Sequence, residues 1–139
     1  MIIKIFILLA FVLIQSCGVF NRIPSSQSNA CDILDHKSSW KRAVKKTSKK
    51  WGVSPALQLA FIKTESNFRA RAKTPRKFFL GIIPNGRISS AYGYAQALNG
   101  TWDWYKKDTG NRSASRTNFY DATDFIGWYV SQTNKKLKI

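Results

Sequence analysis

The stretch FIKTESNFRA, residues 61–70, contains the only glutamate of a 139-residue chain that holds 23 Lys and Arg. A set of residues that precede Glu65 recurs at helical spacing and predicts the apolar face of a helix: Leu57, Ala60, Phe61 and Thr64. A carboxyl at the margin of such a face would be partly desolvated and would keep its proton closer to neutral pH. Such a group can donate a proton and later remove one, which makes Glu65 a candidate catalytic residue, with an exposed glutamate at a helix end as the open alternative.

Three motifs follow one another along the chain: Glu65-Ser66-x-Phe68, Ala91-Tyr92-Gly93-Tyr94-Ala95-Gln96, and a helix containing Gly127-Trp128-Tyr129-Val130. In this order they resemble the lytic transglycosylases of the soluble-lytic-transglycosylase, goose-lysozyme-like group. The resemblance covers residues 38–133 and implies a mainly α, lysozyme-like helical domain with a short β-hairpin or loop insertion. The interval from Glu65 to Gln96 is longer than in that family, so residues 69–90 look like the insertion.

The resemblance implies cleavage of the β-1,4 bond between N-acetylmuramic acid and N-acetylglucosamine in peptidoglycan. Glycoside cleavage usually needs one protonated carboxyl and a second carboxylate that acts as nucleophile or base. No second carboxylate is obvious here, and a lytic transglycosylase works without one. Glu65 would protonate the departing oxygen and then deprotonate the muramic C6 hydroxyl, which closes a 1,6-anhydro ring. We therefore expect a glycan lyase without cofactor or metal, in which a groove runs beside Glu65.

The same resemblance implies supporting roles for five residues that bind or position the substrate: Ser66, Gly93, Tyr94, Gln96 and Tyr129. Ser66 would orient the Glu65 region, and Gly93 would let the backbone approach the sugar closely. Gln96 would form hydrogen bonds in the cleft. Tyr94 would line a sugar subsite and Tyr129 would lie near the carboxyl, although a core position with one wet edge is an open alternative for both tyrosines.

The remaining sequence predicts mostly helices. Residues 38–51 show an apolar stripe before Gly52, and Ser54 with Pro55 indicates the start of the helix that ends at Glu65. Residues 69–90 lack a helical period and predict a short β-hairpin around Pro84-Asn85-Gly86. We expect the apolar residues of this hairpin to pack on the core rather than to form a flap over a cleft. A final amphipathic helix carries Ala122, Phe125, Ile126 and Tyr129.

The first residues, MIIKIFILLAFVLIQSCG, read as an export signal because a short apolar run follows one Lys. The end of the run resembles the lipobox of bacterial lipoproteins, which implies cleavage before Cys17 and lipidation of that cysteine. We expect a signal peptide over residues 1–16, a lipidated flexible tether over residues 17–37, and the catalytic domain over residues 38–139. The same resemblance to lipoproteins, with Gly18 and no Asp after the cysteine, implies the outer membrane, with the domain facing the periplasm. If Cys17 stays free, a disulfide with Cys31 is the alternative.

The net charge of +16 indicates an anionic partner: nucleic acid, an acidic membrane or the cell wall. Export disfavours nucleic acid, so we expect peptidoglycan strands as the partner, with the membrane held through the lipid anchor. Cell-envelope or secretion-machine proteins are further partners that this location allows. Two other functions remain open: a lipoprotein that binds peptidoglycan without cutting it, and a goose-type lysozyme that uses water.

Overall fold

The computed structural model of the chain describes residues 23–24, 26–27 and 29–137. The elements of this part, in chain order, are α1 (Ala30–His36), α2 (Ser38–Trp51), α3 (Pro55–Ser66), β1 (Arg76–Phe79), β2 (Ile83–Arg87), α4 (Asn99–Thr109) and α5 (Phe119–Leu137). The two strands pair with each other in antiparallel fashion. The prediction of a mainly helical domain with a short β-hairpin is therefore confirmed.

Helices α2 and α5 form the centre of the helical body, and they cross where α5 carries Gly127. A Cβ atom at this position would lie 2.5 Å from Cδ1 of Trp51 and 2.7 Å from Cγ2 of Thr47. Only a glycine allows so close an approach without displacing one of the helices. The apolar stripe predicted for residues 38–51 is confirmed, because Trp40, Ala43, Val44 and Thr47 are buried.

Two groups of aromatic rings fill the core. In the first, Trp40 stacks on Phe119 with ring centroids 4.0 Å apart and on Phe68 at 5.5 Å. The second joins α4 to α5 and consists of four buried rings: Trp102, Tyr105, Phe125 and Trp128. Such pairs add stability beyond the area that they bury. The rings of Phe68 and Phe119 thus tie the segment after α3 and the start of α5 to α2.

Helix α1 lies inside the stretch that was expected to be a flexible tether, so that expectation is wrong for residues 30–36. The side chain of Asn29 caps the helix by accepting a hydrogen bond from the Asp32 backbone, 2.9 Å away. Ile33 is buried in the core. The helix forms because this buried residue anchors it to the body, which the polar composition of residues 21–30 did not indicate.

The expected signal peptide and the lipidated Cys17 lie outside the described residues, and Cys31 is a free, exposed thiol. In the part of the chain that the structure describes, no helix has both the length and the apolar content needed to cross a bilayer.

The hairpin exists, but its turn lies elsewhere than predicted. Phe79 pairs with Ile83, and the chain reverses at Leu80 and Gly81, whose φ angles are 52° and 77°. Pro84-Asn85-Gly86 belongs to the second strand instead. The expectation that the hairpin packs on the core is also wrong, because every residue of both strands is exposed.

Candidate active site

Helix α3 carries Glu65 in its last turn, and both ends of the helix are well defined. Ser54 caps the start, with its Oγ accepting from the Leu57 backbone N–H at 3.3 Å, and Pro55 occupies the first turn. The end is marked by Asn67, whose left-handed backbone (φ 49°) donates its N–H to the Lys63 carbonyl at 2.9 Å. The predicted start of this helix is confirmed.

The buried face of α3 differs from the predicted one. The residues that face the core are Gln58, Leu59, Ile62 and Ser66. Leu57, Ala60 and Thr64 are exposed instead, and Phe61 is half-buried. Glu65 follows the exposed stripe and is itself exposed, so the expected partial desolvation is absent. The prediction failed because Gln58 is buried: its amide nitrogen donates to the Val44 and Val53 carbonyls, which a hydrophobic pattern does not reveal.

Glu65 differs from the other acids of the chain in its partners. Within the described residues its carboxylate accepts no hydrogen bond and forms no ion pair. Each of the six aspartates does one or the other: Asp32, Asp35, Asp103, Asp108, Asp121 and Asp124. In a chain with 23 Lys and Arg, an acid with neither a hydrogen bond nor an ion pair in the described part is notable. Its carboxylate is accessible to a ligand from solvent.

The chain turns sharply behind Glu65. Asn67 and Phe68 both have positive φ angles, 49° and 60°, although neither is glycine. Such backbone costs about 1–3 kcal/mol per residue and persists only where the surroundings enforce it. Here the enforcement comes from Phe68, whose ring is buried and stacks on Trp40. The sequence contained a partial signal, because Asn is a common left-handed residue after a helix.

The turn at residues 93–96 packs against the segment that follows α3. The backbone N–H of Gly93 donates to the Ala72 carbonyl at 3.0 Å. The amide nitrogen of Gln96 donates to the same carbonyl and to the Gly93 carbonyl, at 2.9 Å each. Gln96 also has a positive φ of 45°. The second motif is therefore joined to the Glu65 region through residues 67–73, and the carbonyl of Ala72, which no motif indicated, is the common acceptor.

Gly93 lets a distant segment of backbone approach closely. A Cβ atom there would meet the carbonyl oxygen of Arg116, so this side of the glycine faces backbone, and the expected approach of a sugar stays a prediction. Its φ of 82° also disfavours other residues. The sequence could not indicate Arg116, because this contact joins segments that are distant along the chain.

Tyr94 belongs to the core. Only 2% of its surface is exposed, and its ring meets those of Trp40 and Phe119 edge-on. Burial raises the pKa of Tyr94 to about 12. A sugar cannot stack on a ring in this position, so the core alternative describes Tyr94 and the expected sugar subsite does not.

Ser66 is buried, and its hydroxyl donates to the Ile62 carbonyl at 3.0 Å, so it supports the helix end rather than offering a group to a ligand. Tyr129 is 40% exposed on α5, where its ring stacks on Phe125. Neither a hydrogen bond nor a ring contact links Tyr129 with Glu65 in the described part. The structure thus brings together the first two motifs, and the third contributes an exposed ring.

The expected groove beside Glu65 is not among four surface cavities in the described part, whose volumes run from about 240 to 370 Å³. Glu65 lines none of the four. The largest lies between α4 and the loop before α5, and Tyr92, Trp102 and Arg116 are among its lining residues. Glu65 is exposed at the end of α3.

A comparison with protein families matches residues 5–139 to the family described as transglycosylase SLT domain. Comparisons with curated proteins and with solved structures found no match. The family match covers the three motifs, the hairpin and the five helices of the described part. It indicates transglycosylase-type lytic activity on peptidoglycan in the cell envelope. The chain belongs to the transglycosylase SLT domain family.

Proposed function

We propose that this chain is a lytic transglycosylase that cleaves the β-1,4 bond between N-acetylmuramic acid and N-acetylglucosamine, with Glu65 as its single catalytic residue. The observation that carries the proposal is the contrast between Glu65 and the six aspartates. Glu65 alone has no partner in the described residues, and it lies in the first motif of a family that acts on peptidoglycan. A carboxyl without competing partners is free to exchange protons with a bound substrate.

The reaction requires one proton donor and later one proton acceptor. The protonated Glu65 carboxyl donates to the glycosidic oxygen, and the bond between that oxygen and C1 of the muramic residue breaks. The 2-acetamido group of the substrate stabilises the cationic C1. The Glu65 carboxylate then removes the proton of the C6 hydroxyl, whose oxygen bonds to C1. The products are a 1,6-anhydro-muramic end and a free C4 hydroxyl, no water is consumed, and Glu65 regains its proton.

The glycan itself would supply the desolvation that Glu65 lacks in the free protein. A polysaccharide laid along an open surface excludes water from the carboxyl that it covers, which favours the protonated form. The turn formed by Gly93 and Gln96 would fix the loop behind Glu65, and Ser66 would hold the helix end. Tyr129 is the exposed ring on which a sugar could stack.

The proposal includes an anchored location. Lipidation of Cys17 would hold the domain at the outer membrane, facing the periplasm, where the strands of the wall lie within reach of the tether. The basic surface would attract the anionic wall, and envelope or secretion-machine proteins would be neighbours.

One observation favours a second candidate, a lipoprotein that binds peptidoglycan without cutting it. Glu65 is exposed and lines none of the four cavities, as a residue without catalytic duty would be. The hydrolase alternative has less support, because it needs a second carboxylate and each of the six aspartates is engaged in a hydrogen bond or an ion pair.

Mass spectrometry of the fragments released from purified sacculi separates the three functions. We expect wild type to release muropeptides with 1,6-anhydro ends, and Glu65→Gln to release almost none. Reducing ends from wild type would identify a hydrolase. Intact sacculi after incubation with folded wild type, with binding retained, would establish the non-catalytic candidate and overturn the proposal.

A further inference from the structure

The hairpin presents an apolar surface that nothing in the described part covers. Six of its large apolar side chains are 54–77% exposed: Phe78, Phe79, Leu80, Ile82, Ile83 and Ile88. Single exposed apolar residues are normal on a protein surface, but a contiguous group of this size marks an interaction site. Leu80 and Ile82, at the tip, are the most exposed, at 77% each.

The hairpin projects from the helical body. Its strands pair only with each other, and both faces of both strands are exposed. A two-stranded hairpin without a covering layer is only marginally stable in water. At its base, Thr74 donates its hydroxyl to the Ser89 carbonyl at 2.9 Å, and Arg87 donates to the Thr74 carbonyl at 2.5 Å. The base is therefore held firmly, while the tip lacks a cover.

The charges around the hairpin are all of one sign. Residues 66–102 contain six Lys and Arg and no Asp or Glu. Three of these cations, Arg76, Lys77 and Arg87, flank the apolar tip on the strands themselves. Apolar side chains at one end with cations a few residues behind them are typical of segments that enter the surface of an anionic bilayer. The apolar groups enter the acyl boundary and the cations stay at the phosphates.

We propose that the tip of this hairpin, residues 78–83, inserts into the interfacial layer of a phospholipid bilayer that carries anionic headgroups. The dimensions agree, because four or five strand residues span about 13–17 Å. Interfacial segments reach about 5–10 Å into the headgroup and acyl boundary, so Leu80 and Ile82 would lie among acyl chains while Arg76 and Arg87 remain at the phosphates.

Other occupants fit the surface less well. Peptidoglycan is also anionic, but aliphatic side chains such as Leu80 and Ile82 offer a sugar neither hydrogen bonds nor a flat ring. A second copy would have to present its own acidic rim, and this chain has only seven acids, six of them with partners in the described part. Insertion has a consequence for the site: residues 67–75 link the hairpin directly to α3, so a membrane contact would fix the orientation of Glu65 relative to the bilayer.

A local probe tests insertion in the full chain, whatever else holds the chain at the membrane. Cys17→Ser and Cys31→Ser remove both natural thiols, and Leu80→Cys carries an environment-sensitive NBD label. Leu57→Cys is the matched control, because Leu57 is an exposed leucine on α3. Both proteins are reconstituted in phosphatidylcholine vesicles with about a third phosphatidylglycerol, or without it. Circular dichroism checks that each labelled chain is folded.

We expect the label at position 80 to show blue-shifted emission and quenching by lipids with doxyl groups on the acyl chains, only where phosphatidylglycerol is present. The label at position 57 should remain accessible to aqueous iodide. Lys77→Gln should lower the ratio of inserted to exposed label about fivefold, since one cation near an anionic surface contributes about 1 kcal/mol.

Equal iodide quenching at positions 80 and 57 would overturn the proposal and leave the tip to a partner protein. Burial of the label that falls as the protein is diluted in lipid would overturn it in favour of a second copy. The measurement does not involve turnover, so its result is independent of whether Glu65 catalyses anything.

Discussion

Two carboxylates of this chain show opposite environments. Asp124 on α5 lies where α2, α4 and α5 meet, and 19% of its side chain is exposed. Its two oxygens accept from the Trp51 Nε1 and the Tyr105 hydroxyl at 2.8 Å each, and from Lys50 at 3.0 Å. Glu65 at the end of α3 is exposed and has no such partner within the described residues.

The difference shows how the protein uses its few acids. Asp124 serves the structure, since it accepts from the indole of Trp51 and the phenol of Tyr105, which lie near the core and would otherwise lack a partner. Around Glu65 the unusual feature is the backbone, with Asn67 and Phe68 in left-handed conformations. Strain of this kind is enriched at functional sites, so a free acid beside it fits the role proposed for Glu65. The first region holds the helices together, whereas the second leaves a carboxylate accessible.

The largest effect should come from Glu65→Gln. The Gln amide cannot donate a proton to the glycosidic oxygen or remove one from the C6 hydroxyl. We therefore expect turnover of peptidoglycan to fall by about 10²–10⁴-fold. Because the side chain has no partner to lose, the free energy of unfolding should change by less than about 0.5 kcal/mol. Muropeptide release and urea denaturation measure the two quantities. A stability loss as large as that of a buried residue would show that Glu65 is structural after all.

Asp124→Asn should have the opposite profile. The asparagine amide keeps one acceptor oxygen but loses the charge that strengthens the hydrogen bonds from Trp51 and Tyr105. Its NH₂ group would face one of these two donors, which cannot accept from it in the present orientation. We expect about 2–3 kcal/mol lower stability, measured by urea denaturation. Asp35→Asn is the control, because Asp35 forms only an exposed pair with Lys41 at 3.4 Å and should change stability little. If both substitutions lowered the free energy of unfolding equally, Asp124 would be no more important to the structure than an exposed aspartate.

The sequence predicted the helices better than the site. The stripe of residues 38–51, the Ser54 cap and the final helix were readable because their periods and caps are local. The hairpin turn was misplaced because Pro84-Asn85-Gly86 is a typical turn sequence, whereas the actual turn forces Leu80 into a left-handed conformation. Periodicity placed the buried face of α3 wrongly because a hydrophobic pattern treats Gln58 as exposed, whereas this side chain is buried and hydrogen-bonded. Glu65 was singled out from its motif, which stays a prediction, whereas its exposure was not expected.

Two buried tyrosines, Tyr94 and Tyr105, should make the free energy of unfolding depend on pH in the alkaline range. Burial raises the pKa of Tyr94 to about 12, and burial followed by the charge of Asp124 raises the pKa of Tyr105. Above pH 10 the unfolded chain releases these protons while the folded chain keeps them, so stability falls as the pH rises from about 10 to 12. At pH 11, Tyr94 alone should account for a loss of about 1.4 kcal/mol.

Asp124→Asn sharpens this test. Without the carboxylate, the pKa of Tyr105 should fall partway toward its ordinary value, because burial remains, while the pKa of Tyr94 stays unchanged. Ultraviolet titration of phenolate absorbance in the folded proteins measures this difference, and we expect Tyr105 to ionise at lower pH in the variant than in wild type. Identical titration curves would mean that Asp124 does not act on Tyr105 through its charge.

The smallest effect should come from Ser66→Ala, which asks whether the residue next to Glu65 binds substrate or only supports it. The hydroxyl donates to the Ile62 carbonyl within its own helix, and its loss costs about 1 kcal/mol. Alanine has the higher helix propensity, which offsets about half of that cost. We expect a net loss below about 1 kcal/mol in urea denaturation.

Because the Ser66 hydroxyl is buried, KM for peptidoglycan should stay unchanged in the same variant, and any fall in activity should appear in kcat through a shift of Glu65. A raised KM with an unchanged kcat would instead make Ser66 a substrate ligand, which would require the helix end to open when the glycan binds.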